Sequence, residues 1–269
     1  MKVLIIGGNR FVGKALAEEI IWQYRYNFVD VFNRSGVGPR GANVIQGDRN
    51  NIEDLKQIDF GGYDCIIDMC LYKLEQFNLI KDLIPNNVNY IFVSSGAVDY
   101  IKDFGEYGLE KKRIEEVLMK TNINYKIARP SYIVGKGNHR PRLSYFISKL
   151  KNNEEIEMDD GNYPINLVFV QDVVNCLLKL VKDNNRTCKI YNICGDESIT
   201  VNELIDFLKF ELDIKHHKIS PLSNAYEEMG IVPNQPFELD NIEIKNDYEI
   251  KFTDLKSGIK KYIKELNEN

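Results

Sequence analysis

Tyr107 and Lys111 stand four residues apart in the stretch Glu106-Tyr-Gly-Leu-Glu-Lys111, so on a helix they share one face. A phenol beside an ammonium group can do chemistry. The positive charge favours phenolate and lowers the tyrosine pKa, which suits Tyr107 to carry a hydroxyl proton while a hydride leaves carbon. Spacing alone does not single this pair out, because Tyr132/Lys136 and Tyr145/Lys149 share it. Position does. Tyr107 falls on the helix between a strand ending at Ser94-Ser95 and the next parallel strand, bordering the crevice of such a sheet. Tyr132 falls in the loop after Pro130 and Tyr145 in a later helix, where packing with a snorkelling lysine is expected. Ser95, at a strand's C-terminal end, would present its hydroxyl into the same crevice and hold a substrate oxygen against Tyr107. No GxSxG surrounds it, so it reads as a hydrogen-bond donor rather than a nucleophile. A turn cap is the plainer alternative.

The elements that position this pair begin at the N-terminus. Val3 to Ile6 is a short apolar run, broken by Gly7 and Gly8, and Gly13 opens a helical pattern through Leu16, Ala17, Ile20 and Ile21. Strand, glycine turn and helix start make a seat for a dinucleotide pyrophosphate: glycine lets the backbone approach, and the helix N-terminus offers free N–H groups. Arg10 replaces the middle glycine of a GxxGxxG spacing. The second strand, Asn27 to Phe32, leads into Asn33-Arg34, where such folds place an acid on the adenosine ribose. Without the acid, a 2′-phosphate meets no repulsion, and Arg34 can pair with it bidentately, with Arg10 as a second positive contact. This favours NADP(H) over NAD(H); a solvated surface arginine is the alternative. Asp48, in Gly47-Asp48-Arg49, could accept from an adenine amino group or cap the next helix.

Further strands are expected at Asn43 to Gln46, Tyr63 to Met69, Val88 to Val93 and Asn124 to Ala128. Helices are expected over 51–58, from Leu74 toward Pro85, and over 105–120. The alternation predicts an α/β fold, a Rossmann-type doubly wound parallel sheet with a small C-terminal substrate-binding lobe. After residue 131 the pattern loosens. A loop with Gly135, Gly137, Asn138 and Pro141 precedes helices over 143–150, 172–181 and 201–212, strands over 167–170 and 189–193, and a closing helix over 253–265. The tail carries Pro221, Pro233 and Pro236. Residues 1–130 thus read as an NAD(P)-binding core. Residues 131–269 read mainly as a substrate-binding lobe, with 164–195 expected to return to the core sheet.

Composition narrows the function. The 269 residues carry 43% hydrophobic and 28% charged side chains and a net charge of −5, as in ordinary globular domains. The acidic balance disfavours nucleic-acid binding through a broad basic surface. The N-terminus has neither signal-peptide nor membrane-span character and no later stretch suits the bilayer, so a cytoplasmic protein with no membrane partner is expected. Cys65, Cys70, Cys176, Cys188 and Cys194 show no CxxC, and three histidines are too few for a His-rich site. No metal is implied.

Several motifs occur in order: Gly-Gly-Asn-Arg-Phe-Val-Gly at 7–13, Phe-Asn-Arg at 32–34, Gly-Asp-Arg at 47–49 and Phe-Val-Ser-Ser-Gly-Ala-Val at 92–98. Glu-Tyr-Gly-Leu-Glu-Lys at 106–111, Ala-Arg-Pro-Ser-Tyr-Ile-Val-Gly at 128–135, Phe-Val-Gln-Asp-Val-Val at 169–174 and Tyr-Asn-Ile-Cys-Gly at 191–195 complete the set. Together they resemble the extended or atypical short-chain dehydrogenase/reductases, the NAD-dependent epimerase/dehydratase family, over essentially the whole chain. The resemblance implies Tyr107 as catalytic base, Lys111 on the nicotinamide ribose and Ser95 orienting the substrate. It implies a cofactor lying along Gly7, Asn9, Arg10, Phe11, Val12 and Gly13, then Asn33, Arg34, Asp48 and Arg49. Met69, Cys70 and Ser94 would follow, with Pro130, Tyr132 and Ile133 beside the nicotinamide. It further implies a substrate, commonly a nucleotide sugar, gripped after residue 131. His139, Arg140 and Arg142 lie in the loop where such enzymes often contact it, and a surface cluster is the alternative. Homodimer pairing through the helices around 74–84 and 107–120 is also in the family manner. Two departures stand out: Ser95 and Tyr107 are only twelve positions apart, where the family inserts a longer loop, and Asp99 stands where a tyrosine is common. The Arg10 form of the turn also resembles a branch containing chloroplast stem-loop RNA-binding proteins, so a non-catalytic regulator or RNA-binding protein on the same fold is the second reading.

Overall fold

In a computed structural model, described over residues 1–23, 28–158, 160–221, 229–231 and 235–268, near-continuous apolar runs form the central strands. Such runs suit strands covered on both faces. Strand β1 (Lys2–Ile6) is followed by α1 (Phe11–Gln23), β2 (Phe28–Asn33), β3 (Asn43–Gln46), α2 (Ile52–Lys56) and β4 (Cys65–Asp68). Next come α3 (Leu74–Ile80), β5 (Asn89–Val93), α4 (Ile101–Leu118), β6 (Asn124–Pro130) and β7 (Tyr132–Val134). The C-terminal half adds α5 (Leu143–Lys151), β8 (Glu155–Glu157), β9 (Pro164–Phe169), α6 (Val170–Lys182), β10 (Lys189–Ile193) and β11 (Ser198–Thr200). It closes with α7 (Val201–Glu211), β12 (Lys218–Ser220), α8 (Ile242–Tyr248) and α9 (Leu255–Asn267).

A seven-stranded sheet runs in the order β10-β6-β5-β4-β1-β2-β3, with every neighbouring pair parallel. Helices cover both faces. Val12, Leu16 and Ile20 of α1 pack with Val173 and Leu177 of α6 on one side; Phe77 of α3 and Ile114 and Leu118 of α4 pack on the other. The strand order reverses between β1 and β4, so a crevice opens at their C-terminal ends, where open parallel sheets bind ligands. This is the expected doubly wound architecture.

The region after residue 131 is more ordered than its composition suggests. Tyr132–Val134, expected as loop, pairs with β9 in a three-stranded sheet, β11-β9-β7. Of the segment 164–195, β10 joins the large sheet beside β6, whereas β9 starts three residues before the expected Leu167 and stays in the smaller sheet. A third apolar cluster, including Phe146, Leu167, Leu204 and Ile259, holds this lobe together. The helix expected from Gly105 is preceded by one more turn from Ile101, and Gly105 breaks the two apart with φ 54° and ψ −134°. Only glycine adopts that backbone readily. Asn27 of the expected second strand and Pro233 of the tail lie outside the described residues.

Candidate active site

The glycine turn is closed by backbone contacts. Gly7 sits at φ 89°, and a Cβ there would lie 2.8 Å from Cys70 Sγ. A Cβ on Gly13 would lie 2.6 Å from the Gly7 carbonyl oxygen, so the first turn of α1 is drawn against the end of β1. Val12 and Gly13 are buried, Phe11 is partly so at φ 41°, and Arg10 is exposed. These are the features a pyrophosphate seat needs: side-chain-free backbone and a helix N-terminus aimed at the crevice. Asn33, buried at the end of β2, shapes the adjoining loop. Its amide donates to the Val37 carbonyl, and its oxygen accepts from the Ser35 backbone and hydroxyl. Asn9 donates to the same hydroxyl, which ties the glycine turn to the loop carrying exposed Arg34.

Some expected cofactor residues have their side chains committed elsewhere. Arg49 is buried in a two-pronged ion pair with Asp68, at 2.6 and 3.0 Å, and also donates to Cys70 Sγ. Burial opposes the charge, but Asp68 outweighs it and holds the guanidinium above its ordinary pKa. Asp48 accepts from the backbone and side chain of Asn50 in a local turn, while Asn51 caps the next helix. Ser94 donates to buried Glu115, which Arg129 also binds, and Arg129 reaches on to Asp99. Asp99 therefore anchors Arg129. Met69 is partly buried against the core, with its N–H on the Ile6 carbonyl.

At the C-terminal end of β5, Ser95 caps a short 3-10 helix, Gly96–Asp99, by accepting from the Ala97 N–H, and it is one of the groups that pull the Tyr107 pKa down. The turn-cap alternative for Ser95 is thus the one seen. Tyr107 is 42% exposed. Burial pushes its pKa up, against the pull of Ser95 and the charges of Arg142 and Arg140. The expectation of an acidified tyrosine is thus corrected in direction. Desolvation exceeds the favourable charges, and those charges come from arginines, because Lys111 is turned inward. Its Nζ donates to the Val93 carbonyl at 2.9 Å and lies 4.9 Å from the Phe92 ring centre, 5.0 Å from Tyr72 and 5.9 Å from Tyr107. Burial lowers the Lys111 pKa to about 8, with Asp68 resisting.

Beyond the crevice the loop after β7 folds back over the start of α1. A Cβ on Gly137 would lie 3.8 Å from Phe11 Cα. His139 is depressed by burial and by the charges of Arg140, Arg142 and Arg10, so the turn's arginine and the loop's cations form one basic cluster. Pro130 and Tyr132 are buried and Ile133 partly so. The Tyr132 ring packs 4.5 Å from that of Phe237, which also meets Tyr100 and Phe104 at 5.1 and 5.0 Å. The Tyr100 hydroxyl donates to the Glu238 carbonyl, and a Cβ on Gly96 would lie 2.5 Å from Leu239 Cδ1. The short 96–104 segment is thus covered by the chain's own tail. No local signal announces Phe237, which reaches the site only through the tertiary fold, next to the Glu238 that lies 138 positions beyond Tyr100. Tyr72 was also missed: it follows the β4 end, and only the fold stacks it on Lys111.

Residues 94–194 match the model of the NAD dependent epimerase/dehydratase family. A chloroplast stem-loop binding protein of 41 kDa from Arabidopsis thaliana is 24% identical over 233 residues, 76% of this chain and 61% of the relative. The chain thus spans under two thirds of that relative's length. A dTDP-glucose 4,6-dehydratase from Bacillus anthracis, solved with NAD, superposes with a TM-score of 0.80 at 14% identity, covering 100% of this chain and 97% of that one. A UDP-glucose 4-epimerase from Thermotoga maritima, solved with UDP-glucose, gives 0.76 at 19% identity, covering 100% and 99%. With the family model seated on the strand–helix unit that carries Ser95, Tyr107 and Lys111, and the fold shared along its whole length, the chain is similar to the NAD-dependent epimerase/dehydratase family.

Proposed function

We propose that the chain is an NAD(P)-dependent epimerase or reductase acting on a nucleotide-linked sugar, with Tyr107 carrying the substrate hydroxyl proton. The observation that carries this reading is the placement of Tyr107 on α4 and of Ser95 at the end of β5, with two arginines acting on the phenol, beside the crevice onto which the glycine turn opens. A bound nicotinamide supplies the hydride acceptor and donor. Ser95 holds the sugar hydroxyl, and Tyr107 takes its proton as the carbon is oxidised and returns it on reduction. Lys111, with a pKa of about 8, is mostly charged at neutral pH and braces the end of β5 through the Val93 carbonyl. Residues 131–269 grip the sugar and its diphosphate, with His139 and Arg140 among the contacts. Exposed Arg10 and Arg34, with no acid at the end of β2, support NADP(H) over NAD(H). A UDP-sugar is the natural first substrate class, since the Thermotoga structure holds UDP-glucose.

The name of the Arabidopsis relative favours a second reading, an RNA-binding or regulatory protein on this fold. The net charge of −5 and the presence of Ser95, Tyr107 and Lys111 count against it. A Tyr107→Phe variant separates the two. Cofactor binding should persist while turnover falls by about 10²–10⁴-fold, the usual worth of a positioned acid/base. Turnover unchanged in that variant removes Tyr107 from the chemistry.

A further inference from the structure

Ser94 and Ser95 follow β5 directly and are held in different ways. The Ser94 N–H donates to the Ala128 carbonyl at 2.8 Å, and its hydroxyl donates to Glu115, a buried carboxylate on α4. Ser95 is the residue at which the chain leaves the sheet and enters the 3-10 helix Gly96–Asp99. Inside that helix the Val98 N–H reaches the Ser95 carbonyl only at 3.4 Å, and 3-10 turns have poorer hydrogen-bond geometry than α-helices. One such turn is a weak fixture for a side chain that must meet a reacting oxygen. A charged clamp lies at the far end of the turn. Arg129, on β6, donates from Nε and Nη2 to the two oxygens of Glu115, and from Nη1 to the Asp99 carboxylate at 3.2 and 3.4 Å.

We propose that Arg129 is a positioning residue for Ser95: by holding Asp99 against Glu115 it fixes the serine relative to Tyr107, and releasing the Asp99 arm slows hydride transfer while the cofactor stays bound. This deepens the reading of Tyr107 and Ser95 given above and rests on it. One guanidinium fastens the chain on both sides of Ser95, at Ser94 through Glu115 and at Asp99 directly. Its anchor, Glu115, stands on the same helix as Tyr107 and Lys111, so the clamp ties the serine's turn to the frame that carries the phenol. Tyr100, next along, is fastened to the tail at Glu238 rather than to α4, and so does not duplicate the clamp. The two arms differ in depth: the Glu115 side chain is 1% exposed and that of Asp99 51%. The outer arm contributes little to stability, but a misplacement of about 1 Å at a reacting group can cost about 10²-fold in rate. Arginine suits the task because its planar fork serves two carboxylates at once, whereas an ammonium group is a point charge.

The test compares wild type with Asp99→Asn, which removes the outer ion pair at nearly constant size, and Asp99→Glu, which keeps the charge. Nicotinamide reduction after mixing NAD(P)⁺-loaded protein with UDP-glucose or UDP-glucuronate should slow about tenfold in Asp99→Asn and recover most of its rate in Asp99→Glu. NADPH affinity should stay within about twofold in both. Amide hydrogen exchange should quicken over 96–100 in Asp99→Asn and stay unchanged over 106–118. An unchanged reduction rate in Asp99→Asn overturns the proposal, whatever the exchange shows. So does a loss that Asp99→Glu fails to recover. Faster exchange spreading through 106–118, with NADPH binding weakened in parallel, assigns the ion pair to stability and overturns it too. A wild type that reduces no nicotinamide with either sugar removes the hydride-transfer reading itself, and this inference with it.

Discussion

Two arginines near the crevice are both desolvated, and they differ in one respect. Arg49 faces Asp68 across a two-pronged ion pair beneath the end of β4, and its charge is fully answered within the fold. Arg142 is held by two carbonyls and an aromatic face, and among the described residues no carboxylate lies within ion-pair distance of it. Burial dominates both, yet the first ends above its ordinary pKa and the second at about 10. The contrast separates a buried ion pair from a cation held by carbonyls and a ring, and each predicts a different cost on removal.

Removing each partner sharpens that contrast. Asp68→Asn leaves Arg49 buried and unpaired, and should cost about 3–5 kcal/mol of stability in urea unfolding. Arg142→Gln loses two bonds to carbonyls and should cost only about 1–2 kcal/mol; comparable losses would make Arg142 as structural as Arg49. Lys111 lies between the two cases, held by one carbonyl and three rings. The fold keeps its pKa at about 8, below the ordinary lysine value, so unfolding takes up a proton between those limits. Wild-type stability should therefore rise as pH increases from about 8 toward 10. Lys111→Met should abolish that rise, gain about 1–2 kcal/mol at pH 7 by shedding the desolvated charge, and lose turnover. A pH-stability profile unchanged in the variant would show that Lys111 keeps its ordinary affinity for protons. The smallest effect concerns the exposed pair: Arg10→Ala with Arg34→Ala should shift the NADPH-to-NADH affinity ratio by about tenfold toward NADH. An unmoved ratio means that these arginines do not read the 2′-phosphate.

The glycine turn and the central strands were largely legible in the sequence because their determinants are local. Gly7 and Gly13 mark a turn that admits no side chain, and the apolar runs at Val3, Cys65 and Asn89 mark strands buried on both faces. Ser95, Tyr107 and Lys111 could be placed from strand order alone. The fates of Arg49 and Ser94 were not legible. Each is decided by a partner on another element, Asp68 and Glu115, and no spacing encodes that pairing. Tyr107 shows the same limit in energetic form: Lys111 is four residues away as expected, but its ammonium turns to the Val93 carbonyl, and burial then sets the phenol's pKa. The tail residues Phe237 and Leu239 cover the short 96–104 segment from far along the chain, without any motif of their own.

The central claim is that Tyr107 moves the proton while a sugar carbon exchanges hydride with the nicotinamide. The direct measurement is single-turnover nicotinamide absorbance after mixing NAD(P)⁺-loaded protein with UDP-glucuronate or UDP-glucose, in wild type and in Tyr107→Phe. The account predicts transient reduction of the nicotinamide in wild type and a rate at least about 10²-fold lower in the variant, with cofactor still bound. Equal rates in the two proteins, or no reduction with either sugar despite both binding, would contradict it.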